Sequence, residues 1–146
     1  MDNTRRDLMG AALGAAAFSA PGGAGEPEKK IHFRGPRPSS TPLFPSAVTL
    51  GNLIFVSGHG VNNVSGAKAQ TTVTLDQIEE LLINLGSSLK KVLKCNLYLK
   101  DIRDYAAVNE AYLGRFGPEP PARTCLEVSN IPLKDCVVEI EMIAYI

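Results

Sequence analysis

Two charged segments near the C-terminus constrain this chain most. Pro121-Ala122-Arg123-Thr124-Cys125-Leu126-Glu127-Val128 and Val137-Val138-Glu139-Ile140-Glu141-Met142-Ile143-Ala144 both have strand character, and both carry charge on an otherwise apolar β segment. Alternation assigns their faces. Arg123, Cys125 and Glu127 point one way; on the second segment Val138, Ile140, Met142 and Ala144 form an apolar row opposite Val137, Glu139, Glu141 and Ile143. Read as a hairpin turning near Pro132, the two segments place Cys125 across from Glu139 and Arg123 across from Glu141, with the charged rows sharing a face. A charge on a covered strand is costly unless an opposite charge or a ligand meets it. Arg123 therefore either pairs with Glu139 or Glu141 across the strands, or belongs to a site. In a site, its guanidinium fork suits a planar carboxylate, and a partly desolvated glutamate beside it can move protons. Cys125, with no histidine in evident reach, reads as a small pocket-lining residue rather than a nucleophile.

The rest of the chain supplies partners for these strands. Ala47–Leu50 and Leu53–Ser57 flank Gly51-Asn52, a turn signal, and predict a hairpin. Leu75, Ile78, Leu81, Leu82 and Leu85 recur at helical spacing, with Thr74 and Gln77 as a capping box and Gly86 as a stop. Val92–Leu99 alternates as a strand, with Leu93, Cys95, Leu97 and Leu99 on one face. Asp101 or Asp104 caps a second helix that runs through Phe116 and is ended by Gly117-Pro118. Residues 26–45, rich in Pro, Ser and charge, read as an extended arm with a short strand near Lys30 to Phe33. The order β-β-α-β-α-β-β predicts an α+β domain, a mixed sheet with two helices packed on one face.

Composition narrows the chemistry. The 15 Lys and Arg balance the 15 Asp and Glu, so no basic footprint for nucleic acid is expected. No later segment is long and apolar enough to give stable membrane insertion. The three cysteines, Cys95, Cys125 and Cys136, match neither a disulfide framework nor a zinc-ligand spacing. Residues 1–25 begin with Arg5-Arg6 ahead of an Ala/Gly-rich apolar stretch, the layout of a twin-arginine export signal, which predicts an exported chain. The other reading of that stretch is an N-terminal extension on a chain that stays in the cytoplasm.

From about Leu50 to Tyr145 the chain resembles the reactive intermediate deaminase A (RidA/YjgF) family. The resemblance is carried by Leu50-Gly51-Asn52, Ser57-Gly58, the Leu75 to Gly86 helix, Val108-Asn109, and above all Pro121-Ala122-Arg123-Thr124-Cys125-Leu126-Glu127-Val128 with the later Glu139-Ile140-Glu141. It implies a RidA/chorismate-mutase-like fold for residues 26–146 and a homotrimer with clefts between neighbouring subunits. It also implies hydrolysis of reactive 2-enamines and 2-imino acids to 2-keto acids and ammonia, with no metal or cofactor expected. On matched positions, Arg123 would hold the substrate carboxylate, Glu139 would position water and shuttle its proton, and Cys125, Gly58 and Asn109 would line the cleft. Phe44 stands where the family often has a tyrosine, and His59 where its common branch usually has glutamine. His59 either meets substrate or is an exposed loop residue. The alternatives are a non-catalytic binder of 2-keto acid-like metabolites and, with less support, the ribonuclease activity attributed to some relatives.

Overall fold

Gly51, with φ near +58°, closes the first hairpin, and Asn52 beside it does not take a positive φ. That pattern fits a type II′ turn, in which only the first central residue needs the left-handed region. The computed structural model describes residues 25–146. The strands are β1 (Lys29–His32), β2 (Ala47–Leu50), β3 (Leu53–His59), β4 (Val92–Leu99), β5 (Ala122–Glu127) and β6 (Val138–Tyr145), with helices α1 (Ala67–Asn84) and α2 (Tyr105–Tyr112). They form the expected mixed sheet with two helices on one face. The six strands run in the order β1-β2-β3-β6-β4-β5, and every pairing but β4–β5 is antiparallel.

That order corrects the C-terminal hairpin. β6 enters the sheet between β3 and β4, while β5 lies outside β4 and parallel to it. Arg123 therefore lies beside Cys95 and Cys125 beside Leu97, whereas Glu139 lies beside Tyr98 and Glu141 beside Asn96. The physical reason is the crossover. β4, α2 and β5 form a β-α-β unit, which returns the chain parallel to its first strand. Cys125 and Cys136 are accordingly not on adjacent strands. Cys136 precedes β6, is buried, and its thiol donates to the Val138 carbonyl at 3.1 Å.

The apolar row of β6 is buried as expected. Val138, Ile140 and Ala144 are fully covered, and they pack with Ile54, Val56, Cys95, Leu97 and Leu99 beneath Leu75, Ile78 and Leu82 of α1 and Val108 of α2. Leu93 does not join them and is 48 % exposed, because a register shift between Val92 and Lys94 turns it out of the row.

α1 begins well before the capping box. It starts after Gly66 (φ near +84°), so Thr74 lies inside the helix, buried, with its hydroxyl unpartnered. Ala67-Lys68-Ala69-Gln70 are good helix formers, and they carry the helix upstream of the apolar repeat. Its end is as expected: Gly86 at φ near +79° donates to the Ile83 carbonyl at 3.0 Å and Ser87 to the Leu82 carbonyl at 2.8 Å, a Schellman ending. The second helix is shorter than expected. Asp101 caps a 3-10 turn, Ile102–Asp104, by accepting from the Arg103 amide at 2.8 Å; α2 stops at Tyr112, and Phe116 packs on the Tyr112 ring at 4.6 Å.

The far face of the sheet is left uncovered by the described residues. It presents Phe55 at 40 % and Leu126 at 53 % exposure together with Asn96, Tyr98 and Glu141.

Candidate functional site

Arg123 sits on the helix face of the edge strand, in register with the buried Cys95. Its guanidinium lies 4.3 Å from the Tyr112 ring centre and 5.6 Å from that of Tyr105. Nη1 donates to Asn109 Oδ1 at 2.6 Å, while Nε and Nη2 are covered and have no partner. Among the described residues no carboxylate lies within salt-bridge distance of it. Aromatic faces offset part of the cost of such a cation, about 0.5–2 kcal/mol each. Two unmade hydrogen bonds at a charged group still cost about 1–3 kcal/mol apiece. The unsatisfied pair is Nε and Nη2, the edge that grips a carboxylate in bidentate fashion.

The surrounding residues carry the same stamp of burial. Cys95 is pushed up to about 12, mainly by burial, so it stays a thiol. Burial, then the neighbouring Cys95, likewise pushes the Tyr112 hydroxyl above its usual range. Cys125 is a half-buried free thiol next to Arg123 along the strand.

Glu139 belongs to a different place. Its neighbours Val138 and Ile140 face the helices, so its side chain leaves the sheet on the opposite face from Arg123. It lines a cleft of about 810 Å³ with Arg34, Phe44, Gly58, His59 and Gln77. Three features of the fold build this cleft. A register shift in β3 between Val56 and His59 lifts Ser57-Gly58 out of regular pairing. The arm returns along β3, where the Ser57 hydroxyl donates to the Pro45 carbonyl at 2.7 Å and its amide to the Ser46 carbonyl at 3.0 Å. Gly58 gives Glu139 its room, since a Cβ there would lie 2.5 Å from Oε1. His59 Nδ1 meets the Ser57 carbonyl at 2.7 Å and must donate to it, which leaves Nε2 as the acceptor of the neutral ring. Burial lowers the His59 pKa below its ordinary value; the Ser57 carbonyl opposes this and Arg34 adds to it.

The expected residues thus fall into two groups. Arg123, Asn109 and Cys125 are together; Glu139, Gly58, His59 and Phe44 are together; within one chain the groups do not meet. The pairing of Arg123 with Glu139 or Glu141 does not occur. Glu141 accepts instead from Asn96 Nδ2 and the Tyr98 hydroxyl, each at 2.8 Å. Residues missed at the sequence level are Tyr112 of α2, and Arg34 and Gln77, which meet only through the fold. Arg34 Nη1 donates to Gln77 Oε1 and its amide to the Ser46 hydroxyl. No group of His, Cys, Asp and Glu that could hold a metal ion exists among the described residues.

The geometry has counterparts among known proteins. A family model described as Endoribonuclease L-PSP matches residues 35–146. The chain is 35 % identical over 127 residues to the 3-aminoacrylate deaminase RutC of Acinetobacter baylyi, covering 82 % of this chain and 99 % of that protein. It is 43 % identical over 105 residues to the mitochondrial protein mmf2 of Schizosaccharomyces pombe, covering 67 % of this chain and 83 % of that one. The crystal structure of RidA from the Antarctic bacterium Psychrobacter sp. PAMC 21119 superposes with a TM-score of 0.68 at 33 % identity, over 75 % of this chain and 93 % of its own. These relatives correct the expectation of export. The mmf2 relative, and a second protein of that yeast, mmf1, are named as mitochondrial, and the twin-arginine reading rests on residues that, but for Gly25, lie outside the described ones. With a family model spanning β2 to β6 and relatives matched over most of their length, the chain belongs to the RidA/YjgF family.

Proposed function

We propose that the chain hydrolyses reactive 2-imino acids, and the enamines that tautomerise to them, to 2-keto acids and ammonia, in clefts between copies of itself. The observation that carries this reading is the Nε and Nη2 edge of Arg123, cationic and without a partner. Arg123 and Glu139 leave opposite faces of one sheet, so they can share a substrate only if one copy supplies the arginine and another the glutamate. The uncovered sheet face, with Phe55 and Leu126 exposed, supports such an assembly. A closed trimer, as the family resemblance implies, repeats the junction three times.

The chemistry needs these parts and little else. The resting rotamer keeps the Arg123 fork under Tyr112. An incoming carboxylate offers Nε and Nη2 the bonds they lack, and the side chain turns out to take it. Held at its carboxylate, a protonated imine presents its electrophilic carbon to the neighbouring copy's Glu139. Glu139 accepts a proton as water adds to that carbon and returns it to nitrogen. Glu139 then takes the carbinolamine hydroxyl proton as the C–N bond breaks, so the 2-keto acid forms, nitrogen leaves as ammonia, and that proton converts it to ammonium. Asn109 holds Arg123 in its resting rotamer, and Cys125 lines the same wall.

A second reading has one observation in its favour. Phe44, 67 % exposed beside Glu139, brings no hydroxyl to the cleft, and this favours a binder of 2-keto acids that does not turn substrate over. The test is imine hydrolysis, with the imine generated in place by an amino-acid oxidase and followed by loss of trapped imine. The wild type should accelerate hydrolysis, and Arg123→Ala and Glu139→Gln should each lower kcat/KM by about 10²-fold or more. Calorimetric binding of pyruvate with no acceleration would establish the binder instead.

A further inference from the structure

The cleft around Glu139 holds a second cation. Arg34 lines it from the returning arm, together with Glu139 and His59. It is close enough to His59 for its charge to act on that ring. Two hydrogen bonds anchor this exposed residue: the backbone amide donates to Ser46 Oγ at 3.1 Å and Nη1 to Gln77 Oε1 on α1. Both anchors are neutral. Among the described residues no Asp or Glu lies within salt-bridge distance of Arg34. Among the described residues its Nε and Nη2 have no partner, so the bidentate edge remains available. Among the described residues the one carboxylate lining that cleft is Glu139, which the proposed reaction commits to water. A substrate with a single carboxylate, held by Arg123 of one copy, leaves Arg34 of the other unmatched.

We propose that Arg34 reads a second anionic group at the far end of the substrate, so that the cleft takes 2-imino dicarboxylic acids in preference to 2-imino monocarboxylic ones. This rests on the deaminase reading above. Arg123 grips the carboxylate next to the imine carbon, Glu139 and water attack between the two ends, and Arg34 takes the distal carboxylate. His59, neutral and with Nε2 as acceptor, leaves that cation without a competing charge. The reaction upstream must then be one that oxidises, or eliminates from, an acidic amino acid.

The test compares two imines made in place by amino-acid oxidases, one from alanine and one from glutamate, together with calorimetric titration of the corresponding products, pyruvate and 2-oxoglutarate. The wild type should favour the diacid in both kcat/KM and affinity. Arg34→Ala should lower the diacid-to-monoacid ratio by about tenfold, the loss of one charge-assisted hydrogen-bonded pair, and Arg34→Lys should restore part of it. A ratio that Arg34→Ala leaves within about twofold of wild type, with both imines hydrolysed, overturns the role of Arg34 while the deaminase reading stands. Preference for 2-oxoglutarate that depends on Arg34, with neither imine hydrolysed, keeps the diacid site and overturns the deaminase reading.

Discussion

Arg123 and Glu139 leave the same sheet from opposite faces, Arg123 in register with Cys95 on the helix side and Glu139 beside Tyr98 on the open side. Among the described residues neither has a charged partner. The two residues most specific to the family motif therefore do not meet within one chain. Every expectation about activity follows from that arrangement.

Gly58 is the point at which the open-side half is most fragile. A methyl there would sit 2.5 Å from Glu139 Oε1 and 2.9 Å from its carboxyl carbon. Those atoms are the far end of a flexible side chain, so the fold yields by moving the carboxylate. Gly58→Ala should therefore cost less than about 1 kcal/mol of stability but lower kcat/KM by more than tenfold. Gly60→Ala is the control, because its Cβ would meet Cys136 Sγ at 2.5 Å and the Val138 carbonyl at 3.0 Å. Backbone cannot step aside as easily, and urea denaturation should register a loss of about 1–3 kcal/mol.

His59 gives the fold a pH dependence of known sign. Burial holds its pKa below the ordinary 6.5, so the unfolded chain takes up the proton first as pH falls. The stability this residue contributes is full above that ordinary value and is lost as pH falls toward the lowered one, where the loss levels off. His59→Gln should flatten this limb of the stability curve. One proton limits the change in slope to about 1.4 kcal/mol per pH unit, measurable by urea denaturation at a series of pH values. A variant as steep as wild type below neutrality would place the proton uptake elsewhere.

Thr74 should be improvable. Thr71 and Thr72 return their hydroxyls to the Ala67 and Lys68 carbonyls at 2.7 and 3.0 Å, but the buried Thr74 hydroxyl finds no partner. Thr74→Val keeps the shape and removes the unpaired oxygen, so it should raise stability by about 1 kcal/mol with activity unchanged. A loss of stability in denaturant titration would mean that the hydroxyl is satisfied in solution.

Much of this was legible in the sequence where the signal is local. Gly51-Asn52, the Gly86 ending and the apolar row of β6 all depend on residues within a few positions of one another. The faces of β6 were readable because alternation alone decides them. The C-terminal pairing was not readable that way. Adjacency along the chain suggested a hairpin, whereas β4, α2 and β5 form a crossover unit that places β5 outside β4. The strand-helix-strand pattern from Val92 to Glu127 was the available signal, and it implies a parallel pair. Arg123 was correctly singled out as a costly charge, yet what surrounds it, Tyr112 and Asn109 of α2, depends on that same crossover. Arg34 was invisible because its anchors, Ser46 and Gln77, are distant in sequence and share no motif.

The composite site is tested most directly by mixing subunits. Arg123→Ala and Glu139→Gln chains, each prepared alone, should be nearly inactive. Unfolded together in equal amounts and refolded, they form mixed rings in which some junctions join the intact Arg123 of one chain to the intact Glu139 of the next. Random assembly of a closed ring gives such junctions at about one in four, so imine hydrolysis should return to about a quarter of the wild-type rate. A mixture no more active than the two variants measured separately would mean that Arg123 and Glu139 do not meet across copies, and the account would fail there.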